Sequence, residues 1–421
     1  MNDHKNHSVL IWDNGLFTPL AQKIAESFGK VVLYNPWQSA FPKTNQTLIG
    51  VGLDNITKTN NFWDFVDSSD IIVFPDVYCA SESQYLSNKG YKVWASKYGE
   101  DLEVYRDKSK EHLKSLGVPI GKYEVIEGMT DLRKYLKEHN NQYVKTNLER
   151  GDAETFHAEN YALIETRLDQ LELDLGAKKT IKKFIVEEAI TPAVEVGSDA
   201  YCIDGKYPIG GLCGIELKDA AYLAQYKEFS KMPTQITSYN YKIADTLKKY
   251  EYRNFISSEL RITKDLTPYV CDSTQRTGSP PTELFINMYE NLADIIWEGA
   301  HGNCIDPVVK HPYGIQAIIK SDWATTHWQV IQMPDRIKDY VKFKYLTKIN
   351  GESYVIPQSN EHGEIGAVIA IGDSMSEVID KIKDYADQIK GYQIDICLDA
   401  IPEGLEELKK LEGWGLKLID G

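Results

Sequence analysis

Several familiar signatures are missing from this chain of 421 residues. No GxGxxG follows its first strand-like run, so a dinucleotide site has little support. No GxxxxGK[ST] occurs, which excludes the Walker way of holding phosphate. Cys79, Cys202, Cys213, Cys271, Cys304 and Cys397 are scattered, with no CxxC and no Cys/His cluster. That argues against zinc and for free thiols in a reducing cytoplasm. No apolar run reaches about 18 residues, so no membrane span is expected. The N-terminal "MNDHKNHSVLIWDNG" shows no basic stretch followed by an apolar one, so no secretory leader is expected. Basic charge is in deficit: 47 Lys and Arg against 62 Asp and Glu, a net charge of −15. Nucleic acid is therefore disfavoured as a partner, although a local basic pocket is not. The nine histidines form no triad, so no protein nucleophile is expected. His157 and His301 are noted as cleft candidates, with a core or surface role as the alternative.

What is present reads as a soluble globular protein too long for one compact core, with two to four domains. The first hundred residues alternate short apolar runs with helical spacing. "HSVLIWD", "VVLY", "DIIVFPD" and "YKVWA" read as strands, and the Leu20, Ile24, Phe28 spacing predicts a helix with Gly29 as its C-cap. Short, continuously apolar strands of this kind suggest a parallel sheet covered by helices on its faces. From about residue 103 the pattern becomes α+β. Strands are expected at "NQYVKT", "IKKFIVEEAI" and "AVEVGSDAYCIDGKYPIGGLCG", with turns at Asp204-Gly205 and Gly210-Gly211. "TELFINMYENLADIIWEG" reads as one amphipathic helix. From about 340 a smaller α+β unit follows, with a hairpin at Asn350-Gly351 and a helix capped at Ser374 or Ser376. The expected division is 1–102, 103–338 and 339–421.

The stretch "FISSELRITKDLTPYVCDSTQRTGSPPTEL" carries the most chemistry. With Asp265 and Leu266 as a two-residue loop, Glu259 falls directly across from Asp272. Ser257, Glu259 and Arg261 then share a face with Asp272, Thr274 and Arg276, because strand side chains alternate. Two carboxylates opposed across a ladder repel. A divalent cation removes the conflict, and magnesium is commonly held by one or two carboxylates plus phosphates. The other reading is a solvated hairpin with an Asp–Arg pair. Ser279 is the expected N-cap of the helix after Pro280-Pro281.

Two further segments are suggestive. "YVKTNLERGDAETF" places Lys145 at a strand end before a polar loop whose backbone amides can cradle phosphate; an ordinary surface turn fits as well. "FIVEEAITPAVEVG" places Glu187-Glu188 between two apolar strands, either lining a nucleoside pocket or edging an exposed hairpin.

The order of these three signals (lysine strand and loop, acidic connector, carboxylate hairpin) resembles the ATP-grasp superfamily, most closely its phosphoribosylamine–glycine ligase branch. The resemblance covers most of the chain. It implies an α/β and α+β multidomain fold: a pre-ATP-grasp parallel α/β domain, the ATP-grasp domain, and a small C-terminal α+β domain. It implies ATP and Mg2+, or Mn2+ in its place, as cofactors. Lys108 or Lys110, with Lys145, would contact phosphates. The loop carrying Arg150, Gly151, Glu154 and Thr155 would close over them. Glu187, Glu188 and Ala189 would form the adenine hinge, and Glu195 would hold the ribose. Glu259, Asp272 and Thr274 would face the metal, with Arg276 as the catalytic cation. Thr274 stands where the family usually has Asn, and "DNGLFTPL" stands where the glycine ligase has a glycine-rich phosphate loop. The implied activity is an ADP-forming ligase acting through an acyl phosphate on a small-molecule carboxylate and an amine or thiol, as a cytoplasmic monomer or homodimer with no nucleic-acid or membrane partner. The rival is a nucleotide-binding module or sensor without turnover.

Overall fold

A computed structural model of the chain describes residues 3–36, 44–148, 155–357 and 363–420. Its first layer is the expected parallel sheet. Strands β1 (His4–Trp12), β2 (Phe28–Tyr34), β3 (Ile56–Thr59), β4 (Ile71–Val73) and β5 (Val93–Trp94) run in the order β3-β2-β1-β4-β5, all parallel. The continuous apolar runs are explained by burial on both faces. Val9, Ile11, Val31, Leu33, Ile71 and Val73 pack with Leu20 and Ile24 of helix Thr18–Ser27. The alternate residues Leu10, Val32 and Ile72 pack with Phe62 and with Leu86 of helix Ala80–Asn88. Gly29 is not a helix cap: the helix ends at Ser27, the next residue is extended, and Gly29 sits inside β2. A Cβ there would lie 1.8 Å from the Lys5 carbonyl oxygen, so close approach of β1 is what requires glycine.

A small antiparallel sheet follows, in the order β6-β9-β7-β8, from β6 (Tyr123–Glu127), β7 (Gln142–Thr146), β8 (Thr155–Ala158) and β9 (Lys183–Glu188). Helices Met129–Glu138 and Tyr161–Leu175 cover one face through Leu132, Leu136, Ile164 and Leu168, which meet Val144, Phe184 and Val186. Lys145 and Glu187 are of opposite parity to Val144 and Val186, so they occupy the uncovered face.

The third layer is a nine-stranded antiparallel sheet among the described residues. It begins β14-β13-β10-β11-β12-β15, where β10 is Ala193–Ile203, β11 Gly210–Leu217, β12 Ala221–Glu228, β13 Arg253–Thr263, β14 Pro268–Thr274 and β15 Tyr313–Lys320. Strands Glu364–Gly372 and Val341–Phe343 continue it, so one sheet spans the stretch around residue 338. Val194, Val196, Leu260 and Ile262 face a large core that includes Ile236, Ile243 and Leu247 of helix Thr234–Lys249. Glu195, Gly197, Asp199, Ser257, Glu259 and Arg261 face the other way. Gly210 and Gly211 lie within β11 rather than in a turn. A Cβ on Gly211 would come within 2.4 Å of the Asp199 carbonyl oxygen, so these glycines answer to strand crowding.

The expected long helix is two helices, Thr282–Met288 and Leu292–Ala300. Tyr289 leaves the helix to bridge Val309, and the Asn291 side chain accepts from the Val308 amide. The Asn350-Gly351 hairpin and the Ser374 cap, which accepts from the Glu377 amide, form as expected. No helix among the described residues is long and apolar enough to cross a membrane.

Candidate active site

The hairpin β13–β14 sets Glu259 directly across from Asp272 and Ser257 across from Thr274. The loop that produces this register differs from the expectation. It has three residues, 264–266: the Thr263 amide donates to the Thr267 carbonyl, and Leu266 takes a φ of +63°. Near the loop the pairs are Arg261↔Tyr269 and Leu260↔Val270. A bulge between Glu259 and Leu260 then absorbs Cys271 and shifts the register by one. Loop and bulge together restore the opposition of the two carboxylates.

The bulge also frees a carbonyl. The Cys271 oxygen accepts from Lys145 Nζ at 3.0 Å and from Lys110 Nζ at 3.2 Å. Lys145 comes from β7 of the small sheet, so this contact joins the two sheets. Its ammonium lies 2.7 Å from Asp272 and 3.2 Å from Glu187, and Lys110 lies 3.1 Å from the other Glu187 oxygen. Arg106, one helical turn before Lys110, donates to the Thr146 carbonyl and lies 3.9 Å from Asp272. Glu187 is thus neutralised by two lysines, and Asp272 by Lys145 with Arg106 behind it.

The electrostatics divide the carboxylates into two kinds. Burial opposes ionisation of Asp272, but Lys145, Arg106 and Lys110 outweigh it and hold the carboxyl below its usual range. Burial, and then the Asp272 charge, push Glu259 up to about 8. Glu216 on β11 is raised as well, by burial and then by Glu259 and Glu195. Glu195 and Glu216 lie two residues along from the Gly197↔Gly214 pair, which brings them together. Asp199 beneath them is raised to about 6 by burial and accepts from Tyr222 and Ser257. Burial opposes the charge of Lys145, yet Asp272 and Glu187 outweigh it and raise its pKa.

Glu195, Glu216, Glu259, Asp272 and Arg106 line one cleft of about 520 Å³, whose walls also include Glu103, Thr155 and Arg276. Thr274 and His157 line it too; His301 instead donates to the Trp297 carbonyl, away from the cleft. Arg276 donates to Glu103 at 2.9 Å and lies 3.7 Å from Asp76. Glu195 pairs with Arg261 at 2.7 Å. Lys108 is exposed, its ammonium 4.7 Å from the Tyr105 ring centre, so of the two helix lysines Lys110 is the one brought to the acids. Glu188 is exposed beside Lys122, and the Ala189 amide donates to the Asn141 carbonyl. Arg150, Gly151 and Glu154 lie outside the described residues. Ser279 does not cap the following helix; its hydroxyl donates to the Glu283 side chain, and the helix starts at Thr282. Arg106, Glu103 and Glu216 belong to the site but were not singled out from sequence. For Arg106 a signal existed, the i, i+4 spacing to Lys110.

No protein-family model matches the sequence, and no curated protein matches it. Solved structures do. Phosphoribosylamine–glycine ligase from Thermotoga maritima superposes with a TM-score of 0.70 at 15% identity, over 93% of this chain and 99% of that one. The biotin carboxylase domain of the Hydrogenobacter thermophilus 2-oxoglutarate carboxylase gives 0.68 at 12% identity, over 97% and 98%. The chain has the ATP-grasp fold. A third ATP-grasp structure, N5-carboxyaminoimidazole ribonucleotide synthetase from Thermotoga maritima, gives 0.61 at 12% identity over 92% and 99%. The Hydrogenobacter domain was crystallised with MgADP, ADP and bicarbonate. The ATP-grasp likeness thus extends over nearly the whole of each chain.

Proposed function

We propose that the chain is an ATP- and Mg2+-dependent, ADP-forming ligase that joins a small carboxylate to an amine or a thiol. One carboxylate oxygen of the substrate would take the γ-phosphoryl group of ATP. The nucleophile would then add to the carbonyl carbon, and phosphate would leave as the new bond forms. The observation that carries this reading is the Glu259–Asp272 pair in the wall of one cleft, with Lys145 ion-paired to Asp272 at 2.7 Å.

The residues fit a divalent cation. Among the described residues no group of three or more His, Cys, Asp or Glu is arranged to hold a metal. Two adjacent carboxylates suffice for Mg2+ when phosphate oxygens complete its shell, and Mn2+ accepts the same ligands. Glu259, kept protonated near neutrality by burial and then by the Asp272 charge, would give up its proton to a bound divalent cation. The bound ion would neutralise phosphate charge and fix its geometry. Asp272 and Glu259 would hold it, with Thr274 as a weaker neighbour. Lys145, Lys110 and Arg276 would balance phosphate charge as preorganised donors. Glu187 holds both lysines in place, and Glu195 is offered to the ribose hydroxyls.

The test is ADP release with pooled small carboxylates, amino acids and thiols. Mg2+-dependent turnover that disappears in Asp272→Asn supports the ligase. ADP binding with no turnover in any pool would favour a nucleotide-binding module, the reading that Thr274 supports because its hydroxyl is a poorer metal ligand than an amide carbonyl.

A further inference from the structure

A second cavity, of about 690 Å³, lies between helix Thr18–Ser27 and the strands of 329–355. Among the described residues none lines both this cavity and the cleft. Part of its wall is apolar, including Pro19, Ile286, Ile331, Met333, Phe343 and Leu346, while charged and polar side chains make up the larger share. Most of its cations are already paired: Lys23 with Glu26 at 2.7 Å, Lys348 with Asp54 at 2.8 Å, and Lys338 with Asp335 at 2.6 Å.

Lys342 differs. Its strand Val341–Phe343 is fixed in the large sheet by pairing with Glu364–Gly372, and the side chain is half-buried. Among the described residues it makes no ion pair. The charges that face it are Lys23 and Glu26 from the first helix, Glu283 from helix Thr282–Met288, and Asp339 just before its own strand. They do not offset its burial, which pushes the amine down to about 8. A cation without an ion pair is therefore held at the wall of a cavity, part polar and part apolar, of the size that small-molecule sites have.

We propose that this cavity binds a small organic monocarboxylate with an apolar body, its carboxylate seated on the Lys342 ammonium. One unpaired cation matches a single negative charge, and a polyphosphate would need more. The apolar part of the wall, with Phe343, Leu346, Ile331 and Met333, suits a small aromatic or branched aliphatic body. The site shares no residue with the cleft and does not rest on the ligase reading.

Phenylacetate is the probe, titrated calorimetrically into the full chain. Phenethylamine, with the same ring and the opposite charge, and inorganic phosphate, without the ring, are the comparisons. Phenylacetate is expected to saturate one site per chain, to be unaffected by saturating ADP, and to bind at least tenfold more weakly to Lys342→Met. Binding carries the ammonium form, so affinity should fall about tenfold from pH 7 to pH 9 as an amine near 8 loses its proton. Lys342→Arg cannot lose its charge and should bind equally at both pH values. Any of these outcomes would overturn the proposal: no saturable phenylacetate binding, equal binding to Lys342→Met, equal binding of phenethylamine or phosphate, or a pH dependence that survives in Lys342→Arg.

Discussion

Replacing Lys145 by Met tests the electrostatic centre of the cleft without touching a carboxylate. The ammonium is buried and lies within 3.2 Å of both Asp272 and Glu187. Removing it leaves Glu187 with Lys110 at 3.1 Å, so that acid stays compensated. Asp272 loses its one close ion pair, keeps Arg106 at 3.9 Å and the more distant charge of Lys110, and faces Glu259 across the ladder. Stranding one partner of a fully buried ion pair costs about 3–5 kcal/mol. The Asp272 side chain is 30% exposed, which lowers the expected cost to about 2 kcal/mol. Urea unfolding followed by tryptophan fluorescence should show a midpoint about 0.5 M lower, for a slope of about 4 kcal/mol per M, since the slope rises with the surface exposed on unfolding. Asp272→Asn alone should cost about 1 kcal/mol, because Lys145 retains Glu187 and the Cys271 carbonyl. The double variant buries no stranded charge and should be about 1.5 kcal/mol more stable than the sum of the single changes. Additive single changes would refute the argument, since they would mean that Lys145 and Asp272 do not interact.

The same site yields three shorter expectations. Glu259 near 8 is about nine-tenths protonated at pH 7 and must ionise to hold a metal, so Mg2+ binding with ADP should release about 0.9 proton at pH 7 and about 0.1 at pH 9. Affinity should accordingly rise with pH over that range, and calorimetry in buffers of different ionisation heat should lose the effect in Glu259→Gln. Thr274→Asn should preserve or improve Mg2+-dependent turnover; complete loss of ADP release would remove Thr274 from beside the metal. Gly211→Ala puts a methyl 2.4 Å from the Asp199 carbonyl oxygen, and thermal unfolding should report about 1–3 kcal/mol of destabilisation.

The features legible in sequence were those carried by local periodicity. The apolar runs of β1, β2 and β4 announced a parallel sheet because both faces are covered, and the alternation around Glu259 and Asp272 announced a polar face. What escaped depended on contacts between distant segments. Glu216 meets Glu195 only because β10 and β11 pair, and its own neighbours give no hint of that. Gly29 and Gly210-Gly211 read as a cap and a turn because glycine suits both, whereas their reason is crowding by another strand. The helix over 282–300 kept its amphipathic spacing, yet Tyr289 and Asn291 were drawn away by the segment at Val308 and Val309. Arg106 was within reach of sequence reasoning through its spacing to Lys110.

The bulge at Cys271 has an evolutionary side. The group that receives both lysines there is a main-chain oxygen, which every residue type supplies whatever its codon. Position 271 can therefore drift in identity while the anchor persists, and a comparison of residue types will not register it. What the anchor cannot survive is a change of length: one residue gained or lost between Leu260 and Asp272 alters the loop or the bulge that brings the two carboxylates together. Selection on this hairpin should thus be stricter on insertions and deletions than on substitutions.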